Sequence, residues 1–177
     1  GMGALGFCIY IFFSVLPHPD SAERMFTAAV VQPYIKPELK WDMDRELENL
    51  EILERQTRLV SSLESDVILW PEAATPWPFM GTPQMQVRVE RRVNEIEKPM
   101  LMGNLAEDRV TKEWRNGAFL VEPGAGLSSD FYTKRELVPF GEYVPTMLSF
   151  IDKFVPVGGR FIPGDNLGLM NLTVGGS

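Results

Sequence analysis

Three charged residues of this chain stand where loop and strand-end chemistry is done. Glu72 closes the apolar run "DVILWPE", Lys134 ends the run "SSDFYTK", and Glu142 lies in "LVPFGEYVP". Pro71 fixes its own φ and restricts Trp70, so the carboxylate after it is held stiffly, which suits a general base. An ammonium at a strand end suits stabilisation of an oxyanion. Glu142 follows Gly141, a residue that lets the backbone come close to something. Taken singly, Glu72 and Lys134 also read as solvated surface charges, and Glu142 as a turn acid. Trp41 in "LKWD" and Trp77 in "TPWP" are candidates for gripping an apolar ligand, or for closing the edge of a core.

Composition removes other chemistries. Among 177 residues there is one histidine, His18, between two prolines, and one cysteine, Cys8. A Ser-His-Asp triad or a multi-histidine metal site would have to be built around that single histidine. No metal and no cofactor is therefore expected, and no internal disulfide is possible. The formal net charge of -7 argues against a nucleic-acid partner, which requires a basic face. "PGAG" near Gly124 reads as a hairpin turn, because no helix with Lys-Ser or Lys-Thr follows it. Asn171-Leu172-Thr173 matches a glycosylation sequon inside an expected strand.

The elements that must position these groups follow from periodicity. Phe26 to Pro33 reads as a buried strand ended by proline. From Asp42, a candidate cap, Met43, Leu47, Leu50, Leu53, Val60 and Leu63 recur at helical spacing. "DVILWPE" is a nearly continuous apolar strand, as expected for a parallel sheet covered on both faces. "ATPWPFMGTP" reads as a loop, Gln84 to Glu97 as a helix, and Pro99 to Asn104 as a third strand. "NGAFLVEPGAG" and "SSDFYTK" form a hairpin by composition. Pro139 to Gly164 reads as mostly irregular, and "LGLMNLTVGG" as a last strand. Strand, helix, strand, helix, strand and hairpin together predict a layered α/β domain, with chemistry on the loops beyond the strand ends.

Before this domain lies "ALGFCIYIFFSVL", Ala4 to Leu16, without a charge. It is shorter than the ~20 residues of a spanning helix and lacks the basic lead of a signal peptide. It fits a core segment, a signal-like remnant or the end of a membrane helix. Gly1 reads as a tag residue.

The motifs "AAVVQPYIKPELKWD", "VILWPEAATP", "MLMGN" and "YTKRELVPFGEYVP", in this order and spacing, resemble the periplasmic nitrilase-like domain of the apolipoprotein N-acyltransferases. The likeness runs from Phe26 to the C-terminus. "WPE" with a later lysine is shared across the carbon–nitrogen hydrolases, whereas "KxxLVPFGEYVP" and "QPxIxxxLKWD" are particular to the acyltransferases. The resemblance implies a nitrilase-like αββα sandwich, present in part over residues 21–177. It implies that residues 1–20 hold the remnant of a transmembrane helix plus a linker. The location it implies is the bacterial inner membrane, with the domain facing the periplasm.

By the same resemblance Glu72 matches the general base, Lys134 the oxyanion partner, Glu142 a second glutamate near the site, and Trp41 a lipid-facing tryptophan. The implied partners are a phospholipid acyl donor, a diacylglyceryl lipoprotein acceptor and the membrane. The reaction would be ping-pong through a cysteine thioester. The family's cysteine would fall beyond Ser177, and Cys8 resembles no family nucleophile, so the chain alone is expected to be inactive. A truncated sheet would expose a strand edge and favour self-association. A soluble nitrilase-type amidase and a non-catalytic lipid- or lipoprotein-binding domain are the alternative readings.

Overall fold

The computed structural model describes residues 27–40, 43–139, 142, 161–165 and 169–172. The apolar run at the N-terminus, with Cys8 and His18, lies outside the described residues, as do Trp41, the proposed cap Asp42, Gly141 and most of residues 139–164. Among the described residues no helix is long and apolar enough to cross a membrane.

Among the described residues a six-stranded mixed sheet forms the centre. Strand β1 (Ala28–Val30) pairs in parallel with β2 (Val67–Trp70), Ala29 opposite Ile68. Strand β2 pairs in parallel with β4 (Met100–Glu107), Leu69 opposite Leu101. Then β4 turns antiparallel to β5 (Trp114–Glu122), and β5 to β6 (Gly126–Thr133). The parallel half and its crossover helices follow the expected order, and so does the hairpin. Its turn needs left-handed φ at Gly124 (73°) and Gly126 (78°), which glycine adopts without strain.

Three strand readings change. The proline-rich stretch after Glu72 contains β3 (Pro78–Met80), paired in parallel with the far half of β4. Proline is tolerated there because it is the first residue of the strand. Strand β4 accordingly runs on from Asn104 to Glu107, sustained by β3 on one side and β5 on the other. Residues 169–172, part of the expected last strand, are not in a strand.

A short helix, α1 (Pro37–Lys40), and a 3-10 turn (Met43–Arg45) lead into α2 (Glu46–Ser61). Helix α3 (Pro83–Ile96) opens with proline at its first position, where the missing N–H loses nothing. Met85, Val89 and Val93 of α3 and Leu50 and Leu53 of α2 pack on one sheet face. There they meet Ala29, Ile68, Trp70, Met100, Met102, Phe119 and Val121. Trp77 is partly buried against this cluster, so of its two readings the core-closing one holds.

The helical face of α2 needs correction. Leu47 and Leu63 are 58% and 57% exposed. The buried positions are Asn49, Leu50, Leu53, Glu54 and Thr57. Three of those five are polar, and each has a partner. Asn49 Nδ2 donates to the Leu39 carbonyl at 2.8 Å. Glu54 receives the Arg88 guanidinium fork at 2.6 and 2.9 Å, tying α2 to α3. Thr57 Oγ1 accepts from Trp70 Nε1 at 2.8 Å and donates to the Leu53 carbonyl at 2.7 Å. A satisfied polar group can be buried where an unsatisfied one would be costly.

Candidate functional site

Glu72 leaves the end of β2 through Pro71. The residue after it, Ala73, takes φ 46°, and the next N–H, of Ala74, donates to the Gly103 carbonyl at 2.9 Å. This turn lies so close to β4 that a β-carbon on Gly103 would stand 2.6 Å from the Glu72 Cα. Only a glycine in β4 admits that approach. Opposite, β6 ends at Thr133, and the Lys134 N–H donates to the Asn116 carbonyl at 2.7 Å, extending the ladder by one bond. Gly164 N–H closes over the Lys134 carbonyl at 2.9 Å.

These backbones aim three charged side chains at one point. Lys134 Nζ lies 3.0 Å from Glu72 Oε1 and 3.3 Å from Glu142 Oε1. Asn116 Nδ2 donates to the same two oxygens, at 2.6 Å to Glu72 and 2.9 Å to Glu142. The Glu142 carboxylate also accepts the Val138 N–H at 2.8 Å, while the Glu142 N–H donates back to the Val138 carbonyl. Glu142 is mostly buried, at 14% exposed, whereas the Glu72 side chain is 63% exposed. One carboxylate is thus fixed from several sides, and the other reaches toward solvent.

Electrostatics follows this asymmetry. Burial pushes the Glu142 carboxyl up, but the Asn116 amide, the Val138 N–H and the Lys134 ammonium together hold it below the usual carboxylate range. Burial pulls Lys134 down, and its bonds to Glu72 and Glu142 overcome that, so the ammonium is held above its ordinary value. The cluster therefore keeps its charged lysine throughout the neutral range.

The cluster sits on a cavity of about 400 Å³, lined by Glu72, Asn116 and Lys134. Leu69, Leu101, Ala118 and Tyr132 line it as well; the pleat turns alternate strand residues away from the helix-covered face.

Of the residues named from sequence, the structure brings Glu72, Lys134 and Glu142 together, and Trp41 lies outside the described residues. Sequence reasoning missed Asn116, Gly103, Gly164 and Lys40. Lys40 Nζ donates to the Glu72 carbonyl at 2.9 Å. Burial draws its ammonium below the ordinary lysine value, partly offset by the charge of Glu72. An asparagine and a glycine inside otherwise apolar strand runs, in "NGAF" and "MLMGN", were the signal that could have flagged two of them.

No family model matches the chain. Curated relatives do. It is 33% identical over 161 residues to an apolipoprotein N-acyltransferase of Geobacter metallireducens, covering 87% of this chain and 30% of that protein. It is 31% identical over 133 residues to one of Aquifex aeolicus, covering 72% of this chain and 28% of the relative. The chain thus spans about a third of the length of such relatives. Among solved structures, a NitN amidase of Nesterenkonia sp. AN1 superposes with a TM-score of 0.53 at 14% identity. That match covers 80% of this chain and 51% of the amidase. At such identity the likeness concerns the fold, and the expected nitrilase-like architecture holds. The chain is a homologue of the apolipoprotein N-acyltransferases, built on the nitrilase-like α/β fold of the carbon–nitrogen hydrolases.

Proposed function

We propose that this chain supplies the base and the oxyanion partner of an acyltransferase that moves an acyl chain from phospholipid to the N-terminal amine of a diacylglyceryl-cysteine lipoprotein at the bacterial inner membrane. The observation that carries the reading is the convergence of Glu72 and Lys134, 62 residues apart in sequence, at 3.0 Å on the rim of a cavity. The names of the curated relatives support the substrate class.

In this reading Glu72 takes the proton of a cysteine thiol, and the thiolate attacks the ester carbonyl of the phospholipid. Negative charge developing on that carbonyl oxygen faces the Lys134 ammonium. Collapse breaks the C–O bond, and the lysophospholipid alkoxide leaves with the proton held on Glu72. The lipoprotein α-amine then attacks the thioester, Glu72 accepts the amine proton, and the thiolate departs from a new amide. Glu142 and Asn116 do not react. They hold the Lys134 ammonium and the Glu72 carboxylate in line, a division of labour that matches their deeper burial. In this reading the attacking thiol is not that of Cys8, whose apolar run resembles no nucleophile motif, and the 177-residue chain by itself is expected to be inactive.

The test uses phospholipid carrying a labelled acyl chain. The protein expressed from its own gene in membranes is expected to form a hydroxylamine-sensitive labelled thioester. Glu72→Gln and Lys134→Met are each expected to lower its formation by about 10² or more. Unchanged labelling in Glu72→Gln overturns the assignment of the base. Release of lysophospholipid by the isolated 177-residue chain overturns its inactivity. A thioester that water resolves faster than a lipoprotein amine would move the reading to an amidase.

A further inference from the structure

We infer that Lys40 is a positioning residue for Glu72, acting on the backbone of the loop that carries this carboxylate. The inference rests on the reading of Glu72 as the base. Lys40 is the last residue of α1, and its Nζ donates to the Glu72 carbonyl at 2.9 Å across 32 residues of sequence. That carbonyl belongs to the peptide joining Glu72 to Ala73, and Ala73 holds a left-handed φ of 46° that a residue with a β-carbon adopts only under constraint. Rotation of this one peptide would relieve Ala73 and loosen the turn from which the Glu72 side chain reaches Lys134. A charge-assisted bond to the carbonyl oxygen opposes the rotation.

The clamp is anchored at its other end. The Leu39 and Lys40 N–H groups both donate to the Lys36 carbonyl, at 2.9 and 3.0 Å, closing the turn. Asn49 of α2, itself 4% exposed, donates to the Leu39 carbonyl at 2.8 Å. On the opposite side of the Glu72 loop, Ala74 N–H is held by the Gly103 carbonyl. The peptide under strain therefore has β4 on one side and the Lys40 ammonium on the other, so the aim of Glu72 depends on a helix that contributes no side chain to the ion cluster itself.

The test uses the 177-residue chain with Lys40→Met, Lys40→Arg and, as control, Lys36→Met at an exposed position of the same segment. Three signals are read: the carboxyl carbon resonance of Glu72, the amide resonance of Ala73, and the rate at which an acylating reagent labels the Lys134 amine. Lys40→Met is expected to shift both resonances and speed Lys134 labelling several-fold, while Lys36→Met and Lys40→Arg match the parent. Parent-like signals in a folded Lys40→Met overturn the inference. Should Lys40→Met fail to fold, Lys40→Arg decides, because a folded arginine variant with a displaced Glu72 resonance overturns it equally. None of these readouts needs catalysis. Failure of the acyl-transfer reading would appear as a labelled thioester in Glu72→Gln and leave these resonances as they are.

Discussion

The Cα of Glu72 occupies ground that a β-carbon on Gly103 would need, with only 2.6 Å between them and the Pro71 carbonyl at 2.8 Å. The neighbours on that side are backbone atoms that cannot turn aside. Gly103→Ala is therefore expected to push the Glu72 loop off β4 and to destabilise the fold by about 1–3 kcal/mol. Denaturant midpoints measure the second effect, and Lys134 labelling measures the first. A Gly103→Ala protein as stable as the parent would refute the close packing.

Asn116 serves two carboxylates at once from a position only 5% exposed. Asn116→Asp puts a third carboxylate where a shared donor stood. It is expected to lose about 1–3 kcal/mol at neutral pH, more than the smaller and uncharged Asn116→Ser. The deficit should shrink as pH falls and the new acid is protonated. A loss that does not change with pH would mean that shape, and not charge, is what this position requires.

The pH dependence of the cluster has a defined sign. Glu142 is held below its unfolded value, so its contribution is present above about pH 4.3 and lost as pH falls through its lower folded value. Lys134 is held above its unfolded value, so its contribution is present below about pH 10.4 and lost as pH rises through the higher folded one. The stability gap between the parent and Glu142→Gln is expected to be widest between these limits and to close toward pH 3. Urea midpoints across that range provide the check, and a gap that widens in acid contradicts the assignment.

Thr57 bridges α2 to β2 through the Trp70 indole. Thr57→Val keeps the shape, removes the acceptor and leaves a buried N–H without its partner, at a cost of about 1–3 kcal/mol. Thr57→Ser retains the hydroxyl and is expected to fall well short of that loss. Thermal unfolding of the pair separates hydrogen bonding from packing, and a Thr57→Val protein that melts with the parent and above Thr57→Ser would assign Thr57 to packing alone.

Local pattern was enough for the frame of this protein. The unbroken apolar run of β2 implied a strand covered on both faces, the charged stretch from Gln84 to Glu97 was compatible with a helix, and the paired runs around "PGAG" implied a hairpin. Glu72 and Lys134 could be picked out for the same reason, since each follows a strand and the chain order is local information. Partnership was not local. Leu47 and Leu63 fit the helical spacing that starts at Asp42 yet face solvent, while Thr57 and Glu54 are buried because Trp70 and Arg88, 13 and 34 residues away, satisfy them. Asn116 looks like an interruption in a strand until the fold sets Glu72 and Glu142 against its amide. Periodicity reports which side of an element is apolar. The tertiary structure alone decides which polar group finds a partner, because burying a charge or an amide is tolerable only where a distant residue arrives to complete it.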